Sequence, residues 1–182
     1  MAGELLPHIG LERGSVSPDV IVCGDPARAT RIAGQLDGAV LLGEKREYRT
    51  FQGQFRERTI TVTSHGVGAP GAAIAFEELI AAGAQRIVRV GTCGGMQPSM
   101  QAGDLVVAVA AVDYTGYGRS PRSGIVLTSD VFYDGIYPAA PVYQTMSQAN
   151  VVAVEMECST LFIIGSLRRV QTGANLALDG NV

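Results

Sequence analysis

The residues best suited to chemistry lie in the stretch 86–96, Arg-Ile-Val-Arg-Val-Gly-Thr-Cys-Gly-Gly-Met, where a cation interrupts an apolar strand-like run. Burying Arg89 without a partner is costly, so we expect it to meet an anion or a carboxylate. Thr92 adds a hydroxyl, and the glycines after Val90 predict a sharp turn with exposed amides. These groups predict an oxyanion or phosphate cradle, although an ordinary glycine turn beside an internally paired arginine explains the pattern equally well.

A second cation stands at the start of a predicted helix. Asp25 followed by Pro26 is typical of a helix N-terminus and predicts a helix over about 26–36. Arg28 falls in its first turn, where the helix dipole disfavours a cation unless the side chain shares an anion with the helix N-terminus. A solvated surface arginine is the alternative, and the local pattern does not decide between them.

Two carboxylates follow an apolar segment in the sequence Glu155-Met156-Glu157, at a predicted junction between a strand and a helix. A buried carboxylate must find hydrogen-bond donors, and the vicinal diol of a ribose offers two hydroxyls to one carboxylate. Metal binding is the competing use. Since the chain has only His8 and His65 and no acidic cluster, the sequence predicts no metal site.

Residues 66–71 match the dinucleotide-binding pattern G-x-G-x-x-G, after a predicted strand and before a predicted helix. The acidic residue expected at the end of the next strand is absent, because Arg89 stands there, and Pro70 interrupts the turn. The pattern therefore gives a nicotinamide cofactor little support. A tight turn that packs a helix against a strand is the simpler interpretation.

Strands alternate with helices through most of the chain. Apolar or alternating segments predict strands at 20–23, 58–64, 86–90, 104–112, 124–128, 151–154 and 174–178. Helices are predicted at 26–36, 72–82, 138–149 and 158–169. This alternation predicts an α/β fold, a single domain over 1–182 whose mixed, mostly parallel central sheet is flanked by helices.

Composition excludes several functional classes. A net charge of −3 without any run of Lys and Arg argues against nucleic acid or an anionic membrane as the main partner. Cys23, Cys93 and Cys158 are far apart, which suits neither a disulfide framework nor a zinc site and indicates a reducing compartment. With no signal-peptide pattern and no apolar stretch long enough to span a bilayer, we expect a cytoplasmic protein.

Six motifs occur in an order that resembles one known family. They are Gly24-Asp-Pro-Ala-Arg28, Arg46-Glu-Tyr, Ser64-His-Gly-Val-Gly68, Arg89-Val-Gly-Thr-Cys-Gly94, Thr128-Ser-Asp-Val-Phe-Tyr133 and Val154-Glu-Met-Glu157. Together they resemble the hexameric nucleoside phosphorylase family, which includes purine nucleoside phosphorylase and uridine phosphorylase. The Ser64–Gly68 segment and the ending Leu176-Ala-Leu-Asp-Gly180 are most similar to purine enzymes of apicomplexan type.

The resemblance implies phosphate-dependent cleavage of the N-glycosidic bond of purine nucleosides of the inosine and guanosine type. The products would be the free base and ribose 1-phosphate, and no cofactor is expected because phosphate is the co-substrate. The oxocarbenium-like transition state needs an anchored anionic nucleophile, a diol anchor and an acid for the base. Uridine phosphorylase is the alternative. A hydrolytic nucleosidase and a non-catalytic nucleoside- or dinucleotide-binding module stay open as less favoured ones.

By position, the resemblance also implies a role for each candidate residue. The phosphate-binding set is Gly24, Arg28, Arg46, Arg89 and Thr92, with Arg46 reaching the phosphate of a neighbouring subunit. The ribose-binding set is His8, Met156 and Glu157, with His8 contacting the 5′-hydroxyl across a dimer interface. The base-binding set is Phe132, Tyr133 and Asp179. Arg89 and Asp179 are the catalytic pair, and Asp179 protonates or hydrogen-bonds N7 if its carboxyl keeps or shares a proton.

The same resemblance implies a homo-oligomer, a hexamer built as a trimer of dimers with shared active sites. It also implies segments that this sequence does not contain. The stretch near 115–123 is shorter than the loop and helix of the family, and a C-terminal helix is missing after residue 179. Either the chain is naturally short, or these 182 residues are part of a longer chain, which is the alternative that we favour.

Overall fold

The computed structural model describes residues 4–114, 126–132 and 142–181, and within them ten strands form one sheet with four helices around it. The strands are β1 Asp19–Cys23, β2 Asp37–Lys45, β3 Tyr48–Phe55, β4 Arg58–Ser64, β5 Arg86–Gly95, β6 Leu105–Ala108, β7 Ala111–Tyr114, β8 Val126–Ser129, β9 Ala153–Glu155 and β10 Gln171–Asn181. The helices are α1 Pro26–Ala33, α2 Ala69–Ala81, α3 Val142–Gln148 and α4 Cys158–Arg168.

The strand order is β2-β3-β4-β1-β5-β9-β8-β7, and β10 pairs with both β5 and β6. In the described residues the parallel pairings are β1–β4, β1–β5, β5–β10, β7–β8 and β8–β9. The antiparallel pairings are β2–β3, β3–β4, β5–β9 and β6–β10. The predicted α/β fold with a mixed, mostly parallel sheet is therefore confirmed.

Helices cover both faces of this sheet, as the alternating side chains of β1 make clear. Val20 and Val22 pack in the apolar core beneath α2 and α4, with Phe76 of α2 at its centre. Cys23 belongs to the cluster on the opposite face, where Ala29 of α1 packs. Because successive side chains of a strand point to opposite faces, a continuous apolar run is what a doubly covered strand requires.

The glycines after Val90 do not form the predicted turn, because β5 continues through them to Gly95. Gly91 pairs with Leu176 of β10, and the last two glycines of β5 pair with β9. The strand continues because neighbours on both sides bond its backbone. A Cβ on Gly91 would lie 3.0 Å from the guanidinium of Arg89, so Gly91 leaves room for that side chain to fold against its own strand.

Other element boundaries also differ from the prediction. The expected strand 104–112 is two strands, of which β6 is antiparallel to β10 and β7 is parallel to β8. The edge strand β2 was not predicted, since its residues are mostly exposed and carry no regular alternation. Helix α2 begins at Ala69, so Pro70 stands in its first turn, where a missing amide costs no hydrogen bond. No helix in the described residues is both long and apolar enough to cross a membrane.

Candidate active site

One cavity of about 890 Å³ collects the chemically interesting residues at the ends of several strands. Its wall is made by the segments that follow β1, β4, β8 and β9 together with residues of β5 and β10, and Glu47 from the turn after β2 and Tyr143 of α3 complete it. The predicted site residues that line it are Gly24, Arg28, Arg89, Thr92, Phe132, Met156, Glu157 and Asp179. His8 and Arg46 are not part of this wall, and Tyr133 lies outside the described residues.

Arg89 is the centre of the buried end of the cavity, and only 5% of it is exposed. Its Nη2 pairs with the carboxylate of Glu157, and its Nε lies 3.5 Å from Oε2 of Glu155. Its Nη1 lies 3.2 Å from Nε2 of His65. Burial lowers the pKa of Arg89, but the two carboxylates outweigh it and raise that pKa. The arginine is thus internally paired and faces the cavity at the same time.

Glu157 is held between a cation and a backbone amide, and only 4% of it is exposed. The amide of Gly68 donates to its Oε1 at 2.7 Å. Gly68 has a φ of 90°, in the left-handed region that favours glycine, and this conformation brings its amide to the carboxylate. Burial raises the pKa of Glu157, while Arg89 opposes that rise. The second glycine of the predicted G-x-G-x-x-G pattern therefore serves a carboxylate.

Glu155 is a buried carboxylate to which the sequence assigned no role. Its Oε2 accepts hydrogen bonds from the amides of Glu157 at 2.7 Å and Cys158 at 2.8 Å, at the start of α4. Its Oε1 accepts from the hydroxyl of Thr128, which in turn accepts from the amide of Ser159 at 2.9 Å. A carboxylate just before a helix is a capping pattern, and that signal could have identified it.

Arg28 reaches the same cavity from the first turn of α1. Asp25 caps this helix by accepting from the amides of Ala27 at 2.9 Å and Arg28 at 3.1 Å, as its sequence predicts. Gly24 precedes the cap, and a Cβ there would lie 3.1 Å from the carbonyl oxygen of Gly66. The turns after β1 and β4 therefore approach each other closely, which brings Arg28 and Arg89 to one cavity.

The other end of the cavity is more open. Phe132 is 72% exposed, and Asp179 near the end of β10 is exposed as well. Cys93 is buried beside them, and burial, followed by the negative charges of Asp179 and Glu155, raises its pKa to about 11. This end therefore offers an aromatic face, a carboxylate and a protonated thiol. These are groups that contact a flat heterocycle.

His8 and Arg46 lie elsewhere on the chain. Arg46 is exposed in the turn between β2 and β3, where its φ is 56°. The Nδ1 atom of His8 lies 2.5 Å from Glu78, and the amides of His8 and Ile9 donate to the same carboxylate. One chain alone does not bring either residue to the cavity that holds Arg89.

His65 is the second buried residue that the sequence left without a role. It stands in the Ser64–Gly68 motif, is fully buried, and touches Arg89. Only its position between two motif residues could have suggested a contact with the cavity. Among the described residues, no group of three or more His, Cys, Asp and Glu side chains is placed to hold a metal ion.

Comparison with known proteins assigns this chain to a family. The sequence pattern described as "Phosphorylase superfamily" matches residues 18–122. The chain is 36% identical over 210 residues to a purine nucleoside phosphorylase of Plasmodium vivax, covering 99% of this chain and 85% of that protein. It is also 36% identical over 210 residues to a uridine phosphorylase of Treponema pallidum, covering 96% and 81%.

The solved structures agree with the sequence comparisons. A uridine phosphorylase of Vibrio fischeri, in complex with 6-hydroxy-1-naphthoic acid, superposes with a TM-score of 0.91. It is 35% identical, and the match covers 98% of this chain and 84% of that one. Purine and uridine enzymes are therefore similarly close to this chain in sequence.

Proposed function

This chain belongs to the phosphorylase superfamily, and we propose that it cleaves purine nucleosides of the inosine and guanosine type with inorganic phosphate. The products are the free base and ribose 1-phosphate. Nucleoside phosphorylases of this family use phosphate as co-substrate and act without a cofactor. The observation that carries the proposal is that Arg28, Arg89 and Glu157 line one cavity, with Arg89 paired to Glu157.

Phosphate binds at the buried end of the cavity in this proposal. Arg28 and Arg89 supply charge-assisted hydrogen bonds, and Thr92 adds its hydroxyl. Gly24 lets the turn after β1 approach the anion closely. Arg89 with Glu155 and Glu157 carries one negative charge in excess when both carboxylates are ionised. A phosphate dianion therefore requires further positive charge. In this proposal Arg28 and the Arg46 side chain of a neighbouring subunit provide it.

The ribose lies against Glu157 and Met156. The two vicinal hydroxyls of the sugar donate to the carboxylate of Glu157, which the Gly68 amide and Arg89 hold in place. Arg89 then contacts both the nucleophile and the sugar anchor. Such a shared contact fixes the distance between the phosphate oxygen and C1′, which is the positioning that the reaction requires.

The base lies at the open end, against Phe132 and Asp179. The predicted contact with Tyr133 falls outside the described residues. A phosphate oxygen forms a bond to C1′ while the bond from C1′ to the base nitrogen breaks, and its electron pair leaves with the base. Asp179 donates a proton or a hydrogen bond to N7, which stabilises the departing purine. Glu157 and the bound phosphate stabilise the positive charge that develops on the sugar.

The partner subunit completes the site in this proposal. Neither Arg46 nor His8 lines the cavity of its own chain, and Arg46 is exposed in a turn. We propose a homo-oligomer, a hexamer assembled from dimers, in which Arg46 reaches the phosphate and His8 the 5′-hydroxyl of a neighbour. Mixing Arg46→Ala with Arg89→Gln protein tests this, because mixed dimers regain one intact site. Absence of any regain, or full activity of a monomer by light scattering, contradicts it.

A substrate panel tests the proposed reaction. Inosine, guanosine and uridine are each incubated with the purified protein, with and without phosphate, and the free base is measured. We expect hypoxanthine and guanine to appear only with phosphate. Release of either base at the same rate without phosphate indicates a nucleosidase and contradicts the proposal. Nucleoside binding without turnover in either condition indicates a non-catalytic module.

Uridine phosphorylase activity is the second candidate, because the uridine enzyme of Treponema pallidum is as similar as the purine enzyme of Plasmodium vivax. Turnover of uridine without turnover of inosine would favour it. Either activity fits a role in nucleoside salvage, purine salvage in the favoured case. A cytoplasmic location fits the three buried free cysteines, Cys23, Cys93 and Cys158.

A further inference from the structure

His65 is a buried titratable side chain that the proposed reaction does not use, and it lies directly against the central arginine. None of its surface is exposed, and its Nε2 is 3.2 Å from Nη1 of Arg89. Its Nδ1 is buried and has no hydrogen-bond partner in the described residues. Burying such a ring is costly, so its contact with Arg89 calls for an explanation.

The chemistry of the two side chains fixes the protonation of the ring. A guanidinium has only donors, so Nε2 of His65 must present its lone pair to Arg89. The ring is then neutral, and its single proton is on Nδ1. Burial, then the positive charge of Arg89 and to a lesser degree that of Arg28, lower the pKa of His65 to about 3. The residue stays an acceptor over the whole physiological pH range.

The main chain at His65 is held by hydrogen bonds to the neighbouring turn, and the ring packs against one further side chain. The amide of His65 donates to the carbonyl of Cys23 at 2.9 Å, and the amide of Gly66 donates to that of Gly24 at 3.0 Å. The ring itself packs edge-on against Phe76 of α2, with 5.5 Å between centroids and 70° between planes. These contacts and its complete burial restrict how far His65 can follow Arg89 if the guanidinium turns.

The acceptors around Arg89 come from two different parts of the sheet. Glu155 and Glu157 both belong to the junction of β9 and α4: Glu157 pairs with Nη2, whereas Glu155 lies 3.5 Å from Nε, which makes no hydrogen bond in the described residues. His65 follows β4 and holds Nη1 from its own side. Carboxylates on one junction leave the guanidinium free to tilt with that junction. An acceptor on a separate element fixes its plane.

We propose that His65 is a positioning residue for Arg89, a neutral Nδ1–H imidazole that fixes the guanidinium plane toward the phosphate. The kinetic consequences rest on the proposed phosphorylase function. The tautomer of His65 does not depend on that function, so the tautomer and the kinetic role are tested by separate experiments.

The tautomer is measured on the native protein with ¹⁵N-labelled histidine. Long-range ¹H–¹⁵N correlation spectra are recorded between about pH 5 and pH 9, and the His65 signals are assigned by their absence in His65→Gln. We expect a neutral ring with its proton on Nδ1 and no titration in this range. A proton on Nε2, or a titration within the range, overturns the proposal whether or not the protein is an enzyme.

Kinetics test the positioning role with two variants of similar size. His65→Gln can place an acceptor oxygen near the position of Nε2, whereas His65→Leu has none. A lost hydrogen bond to a charged group corresponds to roughly a tenfold to hundredfold effect, which we expect on the phosphate KM of His65→Leu. The nucleoside KM should change much less, and His65→Gln should recover most of the loss.

Three kinetic outcomes overturn the positioning role. They are equal impairment of both variants, an unchanged phosphate KM in His65→Leu, and equal rises in both KM values. Thermal unfolding of each variant verifies that it is folded. If the native protein turns over no nucleoside at all, the proposed function fails, and the NMR experiment still decides the tautomer.

Discussion

The two ends of the cavity are built in different ways. At the buried end, Arg89, Glu155, Glu157 and His65 are each at most 5% exposed and contact one another across β4, β5 and β9. At the open end, Phe132 is 72% exposed. A network of buried polar groups tolerates little change, because each lost partner leaves another group unsatisfied. We infer that the buried end defines the reaction and the open end selects the base.

The comparison also bears on base specificity. Purine and uridine enzymes are both similar to this chain, and both reactions need phosphate and a ribose but different bases. In the proposed function, phosphate and ribose are bound by the network around Arg89. In the proposed function, the base is bound by the more exposed residues Phe132 and Asp179. Variants at the buried end should therefore impair both phosphate and nucleoside turnover, whereas variants at the open end should impair nucleoside binding alone.

Replacing Arg89 should have the largest effect of any single change. Arg89→Gln removes the proposed phosphate donor and leaves Glu155 and Glu157 without their buried cation. We expect kcat/KM to fall by roughly a thousandfold and unfolding stability to drop by about 3–5 kcal/mol. Steady-state kinetics and urea denaturation measure the two effects. Arg13→Gln, which changes an exposed arginine paired with Glu4, is the control and should alter neither.

Removing the hydroxyl of Thr128 should weaken the same network from its far side. Thr128→Val takes away the donor to Glu155 and the acceptor for the Ser159 amide, so stability should fall by about 1–3 kcal/mol. Activity should fall too, because Glu155 no longer holds Arg89 in place. Thr128→Ser keeps the hydroxyl, so its stability and activity should stay close to those of the native protein.

Thr50→Val is a matched control for Thr128→Val. It removes a buried hydroxyl of β3, which pairs with the hydroxyl of Thr63 on β4 at 2.6 Å. That change should lower stability without altering either KM. If Thr128→Val also leaves both KM values unchanged, the buried end is less tightly coupled than we infer.

Acid should destabilise the protein partly through His65. Its folded-state pKa of about 3 lies below the unfolded value of 6.5, so the unfolded chain binds more protons between these values. The stability linked to this ring is therefore complete above pH 6.5 and decreases as the pH falls. The loss should reach about 2 kcal/mol at about pH 5. Chemical denaturation over that range, with His65→Gln for comparison, should show a weaker pH dependence in the variant. Equal dependence in both proteins contradicts this assignment.

A change at the open end should have the smallest effect on stability. Phe132→Ala removes an exposed ring, so we expect unfolding stability to change by less than about 0.5 kcal/mol. The nucleoside KM should rise several-fold, since the base loses an aromatic contact, while the phosphate KM stays the same. A larger effect on phosphate than on nucleoside would reverse the contrast between the two ends.

Sequence alone predicted the parts of the site whose signals are local. The Asp25 cap and Pro26 located α1 and hence Arg28, because helix-start signals lie within a few residues of each other. Arg89 and Glu157 were predicted to need partners because a charge in an apolar segment is expensive. That they are partners of each other could not be predicted, since the pairing joins β5 to the residue before α4, 68 positions further along the sequence.

The sequence-based predictions that were wrong also have physical causes. The glycines of β5 were predicted to form a turn, yet β9 and β10 pair with them from both sides, and no local signal reveals such neighbours. The role of His65 depends on a contact with Arg89 of a different strand. Gly68 was interpreted as part of a turn pattern, whereas its amide serves Glu157. Each error concerns a contact between segments distant in sequence.

The most direct test of the account is a crystal structure of the protein soaked with phosphate and a slowly reacting inosine analogue. We predict that Arg28 and Arg89 both contact one phosphate, that Glu157 accepts from both ribose hydroxyls, and that Arg89 keeps its contact with His65. Phosphate bound elsewhere, or a ribose held away from Glu157, would contradict it.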